Sequence, residues 1–155
     1  MNNQTVQRRA NGFTLIEMMI VVAILAILAS IAYYNYSKYA YRARRADGKE
    51  MLTRVASAQE RYYTNFNRYA PDMATLGFTA AVAPCGLAAA SDKCYYQVTT
   101  ANGSTGDNQS YILTAAPILG QPQQPTAAKI DACGSLTLTN QGVKAPLTST
   151  NGACW

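Results

Sequence analysis

Glu17 is the first residue in this chain whose type and setting call for a chemical reason. It stands at the head of Met18–Tyr34, a run with no charge and only Ser30 to interrupt its apolar character. A charge inside a bilayer costs at least about 2.5–3.5 kcal/mol on insertion scales, so a carboxylate there needs a cationic partner. The second chemical set is Cys85, Cys94, Cys133 and Cys154, all in the C-terminal half and without Cys-x-x-Cys spacing. With no histidine in the chain, four such cysteines read as disulfides more readily than as a zinc site. Three pairings are open. The two local ones, Cys85–Cys94 and Cys133–Cys154, are favoured because each closes a segment of small and polar residues. Disulfides in turn place that half of the chain in an oxidising compartment.

Other chemistry lacks its parts. The absence of histidine removes the commonest general base and the commonest metal ligand. Asp and Glu residues are scattered singly, so no catalytic residue, metal site or cofactor is expected. The 155-residue chain has a formal charge of +5, and without Arg8 and Arg9 it keeps 11 basic against 8 acidic side chains. That balance is mild for a nucleic-acid binder. The basic set Arg42, Arg44, Arg45 and Lys49 is therefore read as a solvated, lipid-facing or subunit-facing patch, with DNA contact as the lesser alternative.

These residues must be positioned by a few elements. Residues 1–12 form a short polar, basic segment, and the apolar run after it has about the minimum length for a membrane span. No proline precedes Pro71, so one helix is predicted from Phe13 to about Phe66, roughly 80 Å at about 1.5 Å per residue. Its second half is amphipathic: Met51, Leu52, Val55, Ala58, Tyr62 and Phe66 recur at spacings of three or four. Arg44, Arg45, Lys49, Arg54 and Arg61 are placed away from that stripe, and Gly48 is a weak point in the helix. Asparagines and Ala70-Pro71 end it. Strands are predicted at Tyr95–Thr100, Tyr111–Ala115 and Leu136–Thr139, with a short fourth at Val143-Lys144. Turn residues fill Asn102–Asn108, and Leu119–Lys129 reads as a loop. The fold class is α+β: a long N-terminal helix, with its second half on a small antiparallel sheet that carries a disulfide-closed C-terminal loop. Positive charge at the two ends of the span would put the later side in the cytoplasm. The cysteines argue the opposite, and a disulfide-bearing head decides for the outside.

Gly12-Phe13-Thr14-Leu15-Ile16-Glu17 followed by an apolar helix resembles the leader and processing site of type IV pilins and pseudopilins. That resemblance implies cleavage by a prepilin peptidase between Gly12 and Phe13 and N-methylation of Phe13. It implies pairing of Glu17 with the N-terminal amine of a neighbouring subunit. The Cys133-Gly134-Ser135-Leu136-Thr137-Leu138 segment and the later Ala153-Cys154-Trp155 are similar to the C-terminal region of PilE-type minor pilins. So are Ala58–Tyr63, Leu76-Gly77 and Tyr111–Ala115.

The implied protein is a minor type IV pilin of ladle shape, with residues 1–12 as leader, 13–37 as transmembrane and polymerisation helix and 38–155 as head. It would sit in the inner membrane with its head in the periplasm, then in a surface filament. Its partners would be other major and minor pilins and the inner-membrane assembly platform, and its role pilus assembly in support of twitching motility, adhesion or DNA uptake. Alternatives are a major pilin, a secretion-system pseudopilin or a DNA-binding pilus subunit. Calcium-site acids near the C-terminus would mark the major pseudopilin, and Asp131 stands alone there. Tyrosines 33, 34, 36, 39 and 41 read as an interfacial belt, and Tyr34 lies where pilins usually carry a nearby proline. Replacing Glu17 by Ala is expected to permit membrane insertion while impairing filament incorporation. Immunoblots of membranes and of sheared filaments check this, and normal incorporation would refute the pairing.

Overall fold

The computed structural model describes residues 13–103, 108–124, 131–150 and 152–155, and within these the side chains of residues 33–35, 37 and 38 are outside the described set. The expected leader with Gly12, and parts of the expected turn and of the loop after Leu119, lie outside the described residues. The chain divides into two compact units between Ser37 and Lys38.

In the first unit, helix α1 (Leu15–Phe66) begins. Thr14 starts it: the Glu17 amide donates to Thr14 Oγ1 at 3.3 Å, the Thr-x-x-Glu pattern of a capping box. Glu17 thus occupies the first turn, where the helix dipole favours a negative charge. Leu15–Ala32 has a mean hydropathy of 2.7 with none of it buried, long and apolar enough to cross a membrane. Ser30 Oγ donates to the Ile27 carbonyl at 2.7 Å, so the one hydroxyl of the run is satisfied within the helix. The backbone stays helical through Tyr34.

In the second unit the rest of α1 supplies one side of a core and a sheet supplies the other. A small pair, β1 (Ala81–Val82) and β2 (Leu87–Ala88), precedes the main sheet. The main sheet is antiparallel in the order β3 (Tyr96–Asn102), β4 (Tyr111–Pro117), β5 (Leu136–Thr139), β6 (Lys144–Ala145). A last pair, β7 (Thr148–Ser149) and β8 (Gly152–Ala153), follows it. Alternation decides which way β4 faces: Tyr111, Leu113 and Ala115 are buried while Ile112 and Ala116 are exposed. Tyr96 and Val98 of β3 and Leu136 of β5 join them, and Met51, Leu52 and Val55 close the core from the helix. Cys94, Cys133 and Cys154 are part of the same cluster. Disulfides join Cys85 to Cys94 and Cys133 to Cys154.

The apolar stripe departs from its predicted course in the last turn, where Phe66 is exposed and stacks on Tyr62. Asn67 (φ 50°) turns the chain back, its amide on the Tyr63 carbonyl. Ala70 then returns to the helix, where buried Gln59 donates to its carbonyl and accepts from its amide. The inward position is filled by this returning loop, with Tyr69 buried against Tyr111.

Gly48 is required by packing. A Cβ there would lie 2.8 Å from the Cγ and Cδ2 atoms of Tyr96, close to the root of a ring that cannot swing away cheaply. Overpacking of this kind costs about 1–3 kcal/mol, more than the roughly 0.5–1 kcal/mol that Ala gains over Gly in a helix. Gly48→Ala is thus expected to lower the melting temperature by about 4 °C, measured by circular dichroism; a rise would refute the close approach. Tyr96 and Tyr111 also set an alkaline limit. Burial pushes both phenols well above their ordinary range, with Glu60 adding to the effect at Tyr111. Below about pH 10 both states keep these protons; above it only the unfolded chain releases them, so stability falls as pH rises. Melting temperatures from pH 8 to 11 should drop steeply above 10, and less steeply in Tyr111→Phe.

Candidate functional site

The basic set does not form one patch. Arg45, placed by the sequence on an outward face, is 1% exposed and lies in the core. It follows Gly48, Leu52 and Val55 backwards along α1 at spacings of three or four, so the helix register carries it inward. A buried guanidinium needs compensation, and Arg45 has it. Its Nε donates to Asp131 Oδ2 at 2.5 Å, its Nη2 to Asp131 Oδ1 at 2.6 Å and its Nη1 to the Ala153 carbonyl at 2.8 Å. Asp131 is fully buried, as is Gln123, whose amide nitrogen lies 3.1 Å from Asp131 Oδ2 and 2.9 Å from the Tyr96 hydroxyl. Asp131, weighed in the sequence only as a metal-site acid, is the counter-ion of Arg45.

Three basic residues of α1, about one per turn, reach successive parts of the C-terminal segment. Arg42 lies against Gly152, where a Cβ would collide with its guanidinium and φ is +90°. Arg45 holds the Ala153 carbonyl. The Lys49 ammonium lies 5.8 Å from the centre of the Trp155 ring. Lys144 of β6 lies 5.2 Å from the same ring, whose Nε1 donates to the neighbouring Ala145 carbonyl at 3.2 Å. Among the described residues neither lysine forms an ion pair with a carboxylate. Burial, then the charges of Arg45 and Lys144, holds the Lys49 amine below its ordinary value. An anion placed between the lysines would relieve that repulsion.

The other flank of α1 is different. Arg44 reaches the Pro122 carbonyl at 3.4 Å and stands 5.7 Å over the Tyr95 ring. It lines a cavity of about 210 Å³ with Asp47, Glu50, Lys93 and Tyr95. Cations and carboxylates balance there, and farther along Arg54 is paired with Asp92 and Glu50. The flank with net positive charge is the one at Trp155.

Of the other sequence-predicted residues, Phe13 and Glu17 are exposed in the first unit, and Gly12 lies outside the described residues. Tyr36 and Tyr39 are exposed and Tyr41 is half-buried. Lys144, Trp155, Gln123 and the true role of Arg45 escaped the sequence reading. A usable signal was present in Arg42, Arg45 and Lys49 at helical spacing and in a tryptophan joined directly to a disulfide cysteine.

An indole flanked by two cations can hold a polyanion by charge and a planar group by stacking. A family model described as type IV minor pilin ComP, DNA uptake sequence receptor, matches residues 35–137. A second, described as the prokaryotic N-terminal methylation motif, matches residues 7–33. Lys49 falls inside the longer match, and Lys144 and Trp155 lie beyond it. No curated protein matches the chain. A solved type IV pilin from Shewanella oneidensis is 25% identical, with a TM-score of 0.46, over 74% of this chain and 97% of that one.

Proposed function

The chain belongs to the family of type IV minor pilins described as ComP, DNA uptake sequence receptor, and from that premise we propose that it binds duplex DNA through the surface around Trp155. As a type IV pilin it assembles with other pilins. The observation that carries the DNA reading is the Trp155 ring with the Lys49 and Lys144 ammonium groups 5.8 and 5.2 Å from its centre, neither of them in an ion pair among the described residues. The ammonium groups would meet phosphates, and the ring would lie against sugar or base. This reverses the order taken from composition, in which DNA contact ranked below a plain solvated patch. A modest net charge suffices when the acids are gathered on other faces or used internally, as Asp131 is.

The processing scheme is part of the same proposal. Cleavage at Gly12–Phe13, methylation of Phe13 and pairing of Glu17 with a neighbour's amine would convert a membrane helix into a filament contact. The methylation-motif match over residues 7–33 supports it. So does the exposure of Leu15, Met18, Met19 and Val22, which leaves an apolar surface for lipid or for neighbouring helices. The head would then be periplasmic before assembly and at the cell surface after it, with the prepilin peptidase and the inner-membrane assembly platform as partners. Support of DNA uptake ranks above twitching or adhesion in this reading, and the major-pilin and pseudopilin alternatives are not favoured.

DNA binding should be salt-sensitive and selective for particular duplexes in a random library. The Lys49→Ala/Lys144→Ala double variant should lower the slope of log affinity against log salt by about 2, at about 0.9 per phosphate contact. Trp155→Ala should weaken binding with little change in slope. Fluorescence anisotropy at several salt concentrations measures both. Affinity no greater than that of an equally basic control protein would refute the reading.

A further inference from the structure

A buried guanidinium one helical turn before Lys49 is more than core packing asks for. An apolar pair of similar volume would fill the same space and is often as stable or more so. What an apolar pair cannot do is hold a carbonyl. Arg45 presents its donors in a rigid fork, two on Asp131 and one on Ala153.

Those two partners lie next to the two ends of one disulfide. Asp131 precedes Cys133 by two residues and Ala153 precedes Cys154 by one, and Cys133 is joined to Cys154. Arg45 therefore holds the chain just outside the Cys133 end of the covalent ring and just inside its Cys154 end. Trp155 follows that ring directly. Its other ties, Nε1 to the Ala145 carbonyl and the Cys154 amide to the Leu147 carbonyl, run to the β6 side and carry Lys144 with them. Neither hydrogen bond refers the indole to α1. The ring's packing on the core and the contact of Arg42 with Gly152 do so by contact alone, and Arg45 adds the fixed polar tie, one turn from Lys49 on the same helix.

We infer that Arg45 and Asp131 form a positioning pair that sets the Trp155 ring against Lys49 and so orders the DNA-binding surface. The link to DNA rests on the proposed function; the placement of the ring does not. Charge would then supply encounter and most of the affinity, while the pair fixes the ring at one place between the two ammonium groups. Removing the pair loosens the ring but leaves both lysines.

Trp155 is the sole tryptophan of the chain, so its emission and its quenching by acrylamide read this site alone. The experiment uses the full chain in detergent micelles. Arg45→Met/Asp131→Leu retains an apolar, filled core, and Arg45→Lys retains the charge while losing the fork. Asp92→Asn, which breaks the exposed pair with Arg54, serves as a control outside the site. In the folded double variant, acrylamide quenching should rise about twofold and the emission maximum should shift. Affinity for duplex DNA should fall about tenfold at every salt concentration tested, with the salt slope unchanged, and Asp92→Asn should match the parent throughout. Parental emission, quenching and affinity in the folded double variant would overturn the inference, because they would make the pair structural only. Should the double variant fail to fold, Arg45→Lys decides: increased quenching and weaker binding support positioning, and parental values in both overturn it. Should the parent bind DNA no better than Lys49→Ala/Lys144→Ala, the DNA reading falls, and emission and quenching still decide the positioning of the ring.

Discussion

A guanidinium with 1% of its surface exposed imposes conditions on everything around it. Taking such a charge out of water costs several kcal/mol, and only a well-formed counter-ion with further acceptors offsets that cost. Arg45 has a bidentate carboxylate and a backbone carbonyl, so three donors of its fork are satisfied by two chain segments distant in sequence. Each must arrive in register. The helix must bring position 45 inward, the segment before β5 must bring Asp131, and the segment after β7 must bring Ala153. Tyr96 and Gln123 complete the network, and the Tyr96 ring rests on the backbone at Gly48. Helix register, sheet position and the C-terminal disulfide ring are thereby tied to one side chain.

Glu17 presents the same problem with the opposite solution. Its backbone amide is satisfied by Thr14, and the first turn of a helix is a favourable place for a carboxylate, yet the side chain is exposed beside an apolar surface. The charge of Arg45 is answered inside the chain. Among the described residues Glu17 forms no ion pair, and under the processing scheme proposed above its charge would be answered by a neighbouring subunit. Both residues belong to α1, and under that proposal Arg45 would serve the fold of the chain and Glu17 its assembly.

The reach of the sequence depended on the kind of signal. The long helix, the three principal strands and the α+β class were legible because period and turn residues act locally, and Asn67 and Gly48 were noticed for the same reason. Gly48 reads in the sequence only as a helix weakness, since its reason lies in Tyr96, 48 residues on. The pairs β1–β2 and β7–β8 were missed because two-residue strands carry no period. Arg45 was misplaced by the rule that charges face water. Nothing near it in sequence announces a buried partner 86 positions away. The site at Trp155 was hidden similarly: its two lysines are 95 positions apart, and only the folded chain brings both onto one ring.

The division of charge between the two flanks of α1 would let a chain of modest net charge address a polyanion, as proposed. At physiological ionic strength, fields are screened over about 8 Å, so the whole-chain sum matters less than what lies within that distance of a phosphate. On the Arg44 flank two carboxylates answer two cations, and the field largely cancels. On the Trp155 flank neither Lys49 nor Lys144 forms an ion pair among the described residues, and the buried Asp131 is committed to Arg45. Burial first, then the charges of Arg45 and Lys144, holds the Lys49 amine below its ordinary value, and a phosphate arriving there would relieve the part due to charge. Phosphate contacts of this kind orient a duplex but carry no sequence information directly; discrimination requires groups held still enough for one base step to fit and another not. Two flexible lysines cannot supply that. A ring that follows a disulfide, bonded at its nitrogen to β6 and tied through Arg45 to the helix, would meet that requirement. In the proposed surface the buried ion pair would supply order and the two lysines attraction.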